Sequence, residues 1–162
     1  MEHSFLSFGP MKKYLLLLGL ALTTWSCNNA KSPETLMLGS WSNHDITVHM
    51  ESYQGSDSTV TLDAHKENWA EVLQIMPIIT TYTADGNFET EYFNLQGESV
   101  GVEKGRWWFR NDSLILNSNN YDNAYAITFK NDTTTLYRAY IDWDQDGERD
   151  DLYDGIQYRY IK

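Results

Sequence analysis

From Leu36 onward the chain runs in short apolar-alternating segments broken by turn residues, and helical periodicity is scarce. Alternation with period two puts every second side chain on one face of a strand, so the pattern predicts sheet. Residues 38–50 read as a long first strand and residues 58–62 as a second, with Gly55-Ser56-Asp57 turning between them. Residues 66–74 have helical spacing: Asp63 would cap the helix, Trp69, Val72 and Leu73 would share a face, and Pro77 would end it.

Three hairpins follow. Residues 78–83 and 87–94 flank Asp85-Gly86, a strong signal for a two-residue turn. Such a turn sets Thr83 opposite Phe88, Thr81 opposite Thr90 and Ile79 opposite Tyr92, with Ile79, Phe88 and Tyr92 inside and Glu89 and Glu91 outside. Residues 106–110 and 113–117 turn at Asn111-Asp112, which gathers Trp107, Phe109, Leu114 and Leu116 on one face. Residues 125–130 and 135–141 turn through Asn131-Asp132, with Tyr125, Ile127 and Phe129 inward, and residues 155–161 form the last strand. This series predicts an all-β fold, an up-and-down antiparallel barrel of about eight strands with one short helix. Closure also removes the edges that an aromatic-rich sheet would expose.

Composition agrees with that expectation. Aromatic residues make up 14% of the chain, and large aromatics suit half-buried pleated surfaces. Charge narrows the partners. Residues 28–162 hold 22 acidic and 10 basic residues, a net charge of −12. No nucleic acid is expected as a partner, because its phosphates would be repelled.

The amino terminus carries targeting information. Lys12 and Lys13 precede an apolar run over residues 14–22, the pattern of a secretory signal, and Met11 makes a cleaner start than Met1. The run is about half what a bilayer-spanning helix needs. Thr24-Trp25-Ser26-Cys27 follows and resembles a bacterial lipobox, though Trp25 departs from the usual small residue. The resemblance implies a lipid on Cys27, the only cysteine, and hence a membrane partner and a cell-envelope location. Residues 1–27 are then the signal peptide, residues 28–35 a flexible tether containing Pro33, and residues 36–162 the barrel.

Gly39-Ser40-Trp41 opens the first strand and matches the G-x-W signature of lipocalins. That resemblance implies that Trp41 closes one end of the barrel beneath a basic residue of the last strand, for which Arg159 is the match, and gives Gly39 a structural part as the glycine of the signature. More broadly, residues 36–162 resemble the lipocalin-like lipoproteins of Bacteroidetes. The likeness is carried by residues 38–41, 80–86, 104–107, 111–114 and 142–147. It implies a fold and a compartment rather than a ligand.

Two stretches could carry chemistry. Asp142-x-Asp144-x-Asp146-Gly147 begins as calcium loops begin, with alternate carboxylates converging and glycine permitting the sharp turn. Calcium is the expected ion, with Asp142, Asp144, Asp146, Glu148, Asp150 and Asp151 as candidate ligands. Tyr153 stands where an EF-hand has its last glutamate, so Asp151 or Asp154 would complete the set. The alternative is a solvated acidic turn. The second stretch is the barrel interior, where Phe88, Tyr92, Trp107, Phe109, Tyr125 and Phe129 could line a pocket for a small hydrophobic ligand. The alternative is a structural or interaction module whose core those rings fill solid.

No enzyme is expected. The chain has no G-x-S-x-G, H-E-x-x-H or glycine-rich phosphate loop. His44 and His49 are an odd number apart, so a regular strand would point them to opposite faces.

Overall fold

In the computed structural model of the protein, residues 31–161 are described, and nine strands form one antiparallel sheet that closes on itself. In chain order these are α1 (Pro33–Met37), β1 (Gly39–Met50), β2 (Val60–Ala64), α2 (Trp69–Leu73), β3 (Ile79–Tyr82), β4 (Asn87–Phe93), β5 (Ser99–Arg110), β6 (Ser113–Ser118), β7 (Asp122–Asn131), β8 (Thr134–Ile141) and β9 (Asp151–Arg159). From β3 to β9 each strand pairs with the next, and β1 pairs with β3 on one side and β9 on the other. The eight-stranded barrel is therefore the one the turns predict. β2 stands outside the ring as a ninth strand, paired with the second half of β1 from Ile46↔Ala64 to Met50↔Val60.

Two short helices are present among the described residues, where the sequence predicts one. In α1, Pro33 occupies the first turn, and the Ser32 hydroxyl accepts from the Thr35 amide at 3.3 Å. Residues 33–35, expected as tether, are thus helix. Cys27 and the rest of residues 1–27, expected as a signal peptide, lie outside the described residues. α2 is shorter than residues 66–74. Asp63 does not cap it, because Asp63 belongs to β2, opposite Thr47. The helix ends at Gln74, whose φ of 55° breaks it before Pro77 is reached. Trp69 is buried, while Val72 is exposed and does not share its face.

The Asp85-Gly86 hairpin is displaced by one residue from the expected register. The pairs are Tyr82↔Phe88, Thr81↔Glu89, Thr80↔Thr90 and Ile79↔Glu91. The turn takes three residues: the Thr83 amide donates to the Asn87 carbonyl at 2.9 Å, and Gly86 has φ 77°. Asp85 locks it, accepting from the Thr83 hydroxyl at 2.5 Å and the Asn87 amide at 3.3 Å. A one-residue slip exchanges the faces of a strand. Ile79 therefore lies on the outer face with Glu89 and Glu91, while Thr80 and Tyr82 join Phe88, Thr90 and Tyr92 inside. The hairpin at Asn111-Asp112 has the expected register, with Trp107↔Leu116 and Phe109↔Leu114 on one side of the sheet.

β1 also changes phase. Its register with β9 runs Asn43↔Gln157 and then Asp45↔Ile156, so His44 is the extra residue of a bulge. Before it the buried positions include Trp41 and Asn43; after it they are Ile46, Val48 and Met50. His44 and His49 consequently both face outward, against the parity expected of a regular strand. His44 packs edge-on against Tyr158 at 4.9 Å, and His49 Nδ1 meets the Thr61 hydroxyl at 3.1 Å. Five positions of extended chain still set them roughly 15 Å apart, too far to chelate together.

Candidate functional site: the barrel interior and its acidic rim

One end of the barrel is packed solid. Trp41 is fully buried, its ring lies 4.2 Å below the Arg159 guanidinium, and its Nε1–H donates to the Met37 carbonyl at 2.7 Å. Arg159 also donates to the Leu36 carbonyl at 2.6 Å and to the Leu38 carbonyl, which draws α1 across the end as a plug. Gly39 has φ 101°, and a Cβ there would stand 2.9 Å from Arg159 Nη1, so glycine is needed on both counts. Phe129 packs on Trp41 at 6.4 Å, Phe109 on Trp107 at 6.3 Å, and Trp107 on Tyr82 at 5.6 Å. Phe88 is buried against Tyr82 and Tyr121. Four of the six rings expected to line a pocket, Phe88, Trp107, Phe109 and Phe129, belong to this packing.

The other half encloses a cavity of about 1070 Å³. Tyr92 and Tyr125 line it as the sequence predicts, joined by four more tyrosines, Tyr82, Tyr121, Tyr137 and Tyr153. Between the rings stand Asn43, Thr80, Thr90, Asn123 and Gln157. The wall is therefore studded with hydroxyls and amides. Burial pushes the six phenols above their ordinary pKa, so they stay protonated and can donate. Several wall groups are already tied together. Thr80 and Thr90 hydroxyls meet at 3.0 Å, and Asn123 donates to the Tyr125 hydroxyl at 3.2 Å.

The sequence offered no clear sign of Asn43 and Gln157, because polar residues in a strand default to the wet face. Tyr82 was hidden by the register of the turn. The bulge at His44 was the one local irregularity that could have revealed Asn43, and it has no signature in composition.

The acidic loop between β8 and β9 forms part of the cavity rim, through Asp142, Trp143, Gln145, Gly147 and Arg149. Three of its carboxylates converge, and one of them, Asp144, also accepts from the Gln54 amide of the turn after β1. Asp142, Asp144 and Asp151 each bring an oxygen within 4.8 Å of the others, a set that can hold a metal ion. That spacing fits oxygens around one hard cation, since two ligands at about 2.4 Å lie no more than about 4.8 Å apart. Asp151 is 1% exposed and accepts from the Trp143 amide at 2.6 Å and the Asp144 amide at 3.3 Å. Burial nevertheless raises its pKa. Asp142 Oδ1 is buried with no hydrogen-bond partner among the described residues.

The remaining candidates face elsewhere. Asp146 accepts from the Gly55 amide at 3.0 Å and Asp150 from the Ser52 hydroxyl at 2.7 Å, so both pin the turn after β1. Glu148 is exposed and outside the cluster. The six expected ligands thus reduce to three that converge. Compared with known proteins, the chain matches no family model and no curated protein.

Proposed function

We propose that this chain is a lipocalin-like binding barrel, held at the cell envelope by a lipid on Cys27, that takes up a small molecule in the open half of its interior. The observation that carries the reading is the cavity of about 1070 Å³ beside a sealed end, since an interior filled throughout would leave no room for a ligand. The pairing of Trp41 with Arg159 supports the lipocalin-like reading, because it realises the arrangement that the G-x-W resemblance implies. The anchor rests on the basic and apolar segments before the lone Cys27. The barrel is read as a carrier or sensor rather than an enzyme. Native mass spectrometry of the chain taken from its own membrane should give a species heavier than the protein and its lipid. A spectrum of lipidated apo-protein alone would count against a retained ligand.

The triad at the rim is read as a calcium site, formed by Asp142, Asp144 and Asp151. At a hundredfold excess over its Kd, calcium bound to the folded state adds about 2.7 kcal/mol of stability. Thermal melts should therefore shift upward with millimolar calcium, and Asp144→Ala should abolish the shift. A wild-type melt indifferent to calcium overturns the assignment.

A further inference from the structure

Three buried side chains on the cavity wall form a relay. Gln157 Nε2 donates to Asn43 Oδ1 at 2.9 Å, and Asn43 Nδ2 donates to the Tyr153 hydroxyl oxygen at 3.1 Å. Asn43 is 4% exposed, Gln157 6% and Tyr153 7%. The relay is unfinished at both ends. Gln157 Oε1 is buried with no hydrogen-bond partner among the described residues, and the Tyr153 O–H has its lone pair used but its proton free. An unpaired buried acceptor of this kind is destabilising until a donor reaches it. What completes the relay must donate at one end and accept at the other.

A hydroxyl does both. A carboxylate only accepts and an ammonium only donates, so neither completes both ends of the relay. The charged residues of the lining are Asp142 and Arg149, and Arg149 is already tied to the Asp122 carbonyl at 2.8 Å and Asn123 at 2.7 Å. A hydrocarbon ligand would leave the wall's phenols and amides facing groups that cannot pair with them. Trp143, also of the lining, stacks on Tyr153 at 6.1 Å and 27°, which puts an aromatic ring beside the relay for a ligand with one apolar face.

We infer that the cavity takes a neutral, hydroxyl-rich molecule, a saccharide of about one to three rings, recognised by the Gln157–Asn43–Tyr153 relay. This rests on the reading of the barrel as a binding module and names the ligand class for that site.

The test titrates the full chain, in separate arms, with glucose, cellobiose, maltotriose and N,N′-diacetylchitobiose, and with oleate and anilinonaphthalene sulfonate. Calorimetry and intrinsic tryptophan fluorescence report binding. At least one saccharide should bind, and both apolar probes should fail. Gln157→Leu should weaken saccharide binding about tenfold or more, the equivalent of one lost hydrogen bond to a buried partner. Tyr153→Phe, which keeps the ring, should weaken it as well, while Lys104→Gln on the outer wall should leave it unchanged. Binding of an apolar probe in the cavity without any saccharide overturns the ligand class and leaves the binding barrel standing. Saccharide binding untouched by Gln157→Leu and Tyr153→Phe overturns the assigned relay. Silence from every probe overturns both the class and the binding reading.

Discussion

The two halves of this barrel are built by the same strands, yet one is solid and the other hollow. At the sealed end the inward positions carry Trp41, Trp107, Phe109 and Phe129, and α1 supplies Met37 as the plug. At the open end the inward positions of the same sheet carry Tyr82, Tyr92, Tyr125, Tyr137 and Tyr153, interleaved with Asn43, Thr80, Thr90 and Gln157. Both sets are large enough to fill space. The difference lies at the tip of the ring: an indole or phenyl interdigitates with its neighbour, whereas a phenol must keep its O–H near a partner.

The contrast is most easily broken at the sealed end. Trp41→Ala removes a fully buried indole, its hydrogen bond to Met37 and the surface beneath Arg159. The expected loss is about 5 kcal/mol, at the upper end for large-to-small core changes, with Tm falling on the order of 15 °C. Urea unfolding checks it. A loss near 1 kcal/mol would mean that the plug contributes little to the fold.

A slightly smaller effect should come from the open end in alkali. Tyr82, Tyr137 and Tyr153 are buried, and their folded pKa lies above the ordinary value near 10. Below that pH both folded and unfolded phenols are neutral and stability is unaffected. Above it the unfolded chain ionises first, so stability is lost as pH rises. At about pH 11 each phenol that stays neutral in the fold costs about 1.4 kcal/mol, or about 4 kcal/mol for the three. Phenolate absorbance should therefore rise together with loss of sheet signal. Phenols that titrate near their ordinary pKa in an intact barrel would show that the open half is bathed in solvent.

The two ends also differ in how readily the sequence disclosed them. Trp107, Phe109, Leu114 and Leu116 alternate strictly around a two-residue turn, so their common face was legible from parity alone. So was the pairing of Trp41 with Arg159, through the resemblance of Gly39-Ser40-Trp41 to a known signature. The open end was obscured by two single-residue shifts, the three-residue turn at Ala84-Asp85-Gly86 and the bulge at His44. Each reverses inside and outside for a whole segment. The acidic loop was legible as a loop of carboxylates, but not which of them converge, because Ser52 and Gly55 lie about ninety residues away in sequence and claim Asp150 and Asp146.

The smallest expected effect separates a hollow that admits water from one that is merely underpacked. In Tyr153→Phe the ring stays and the hydroxyl goes, leaving the Asn43 Nδ2 donor without its acceptor at 3.1 Å. In a dry interior an orphaned donor costs on the order of 1–3 kcal/mol. Beside a cavity large enough for water, a solvent oxygen can take the place of the phenol, and a water-mediated bond is nearly as good as a direct one. The net loss should then stay below about 1 kcal/mol in urea unfolding. A loss near 3 kcal/mol would place the relay in a sealed, water-free wall, and the two ends of the barrel would differ in shape but not in hydration.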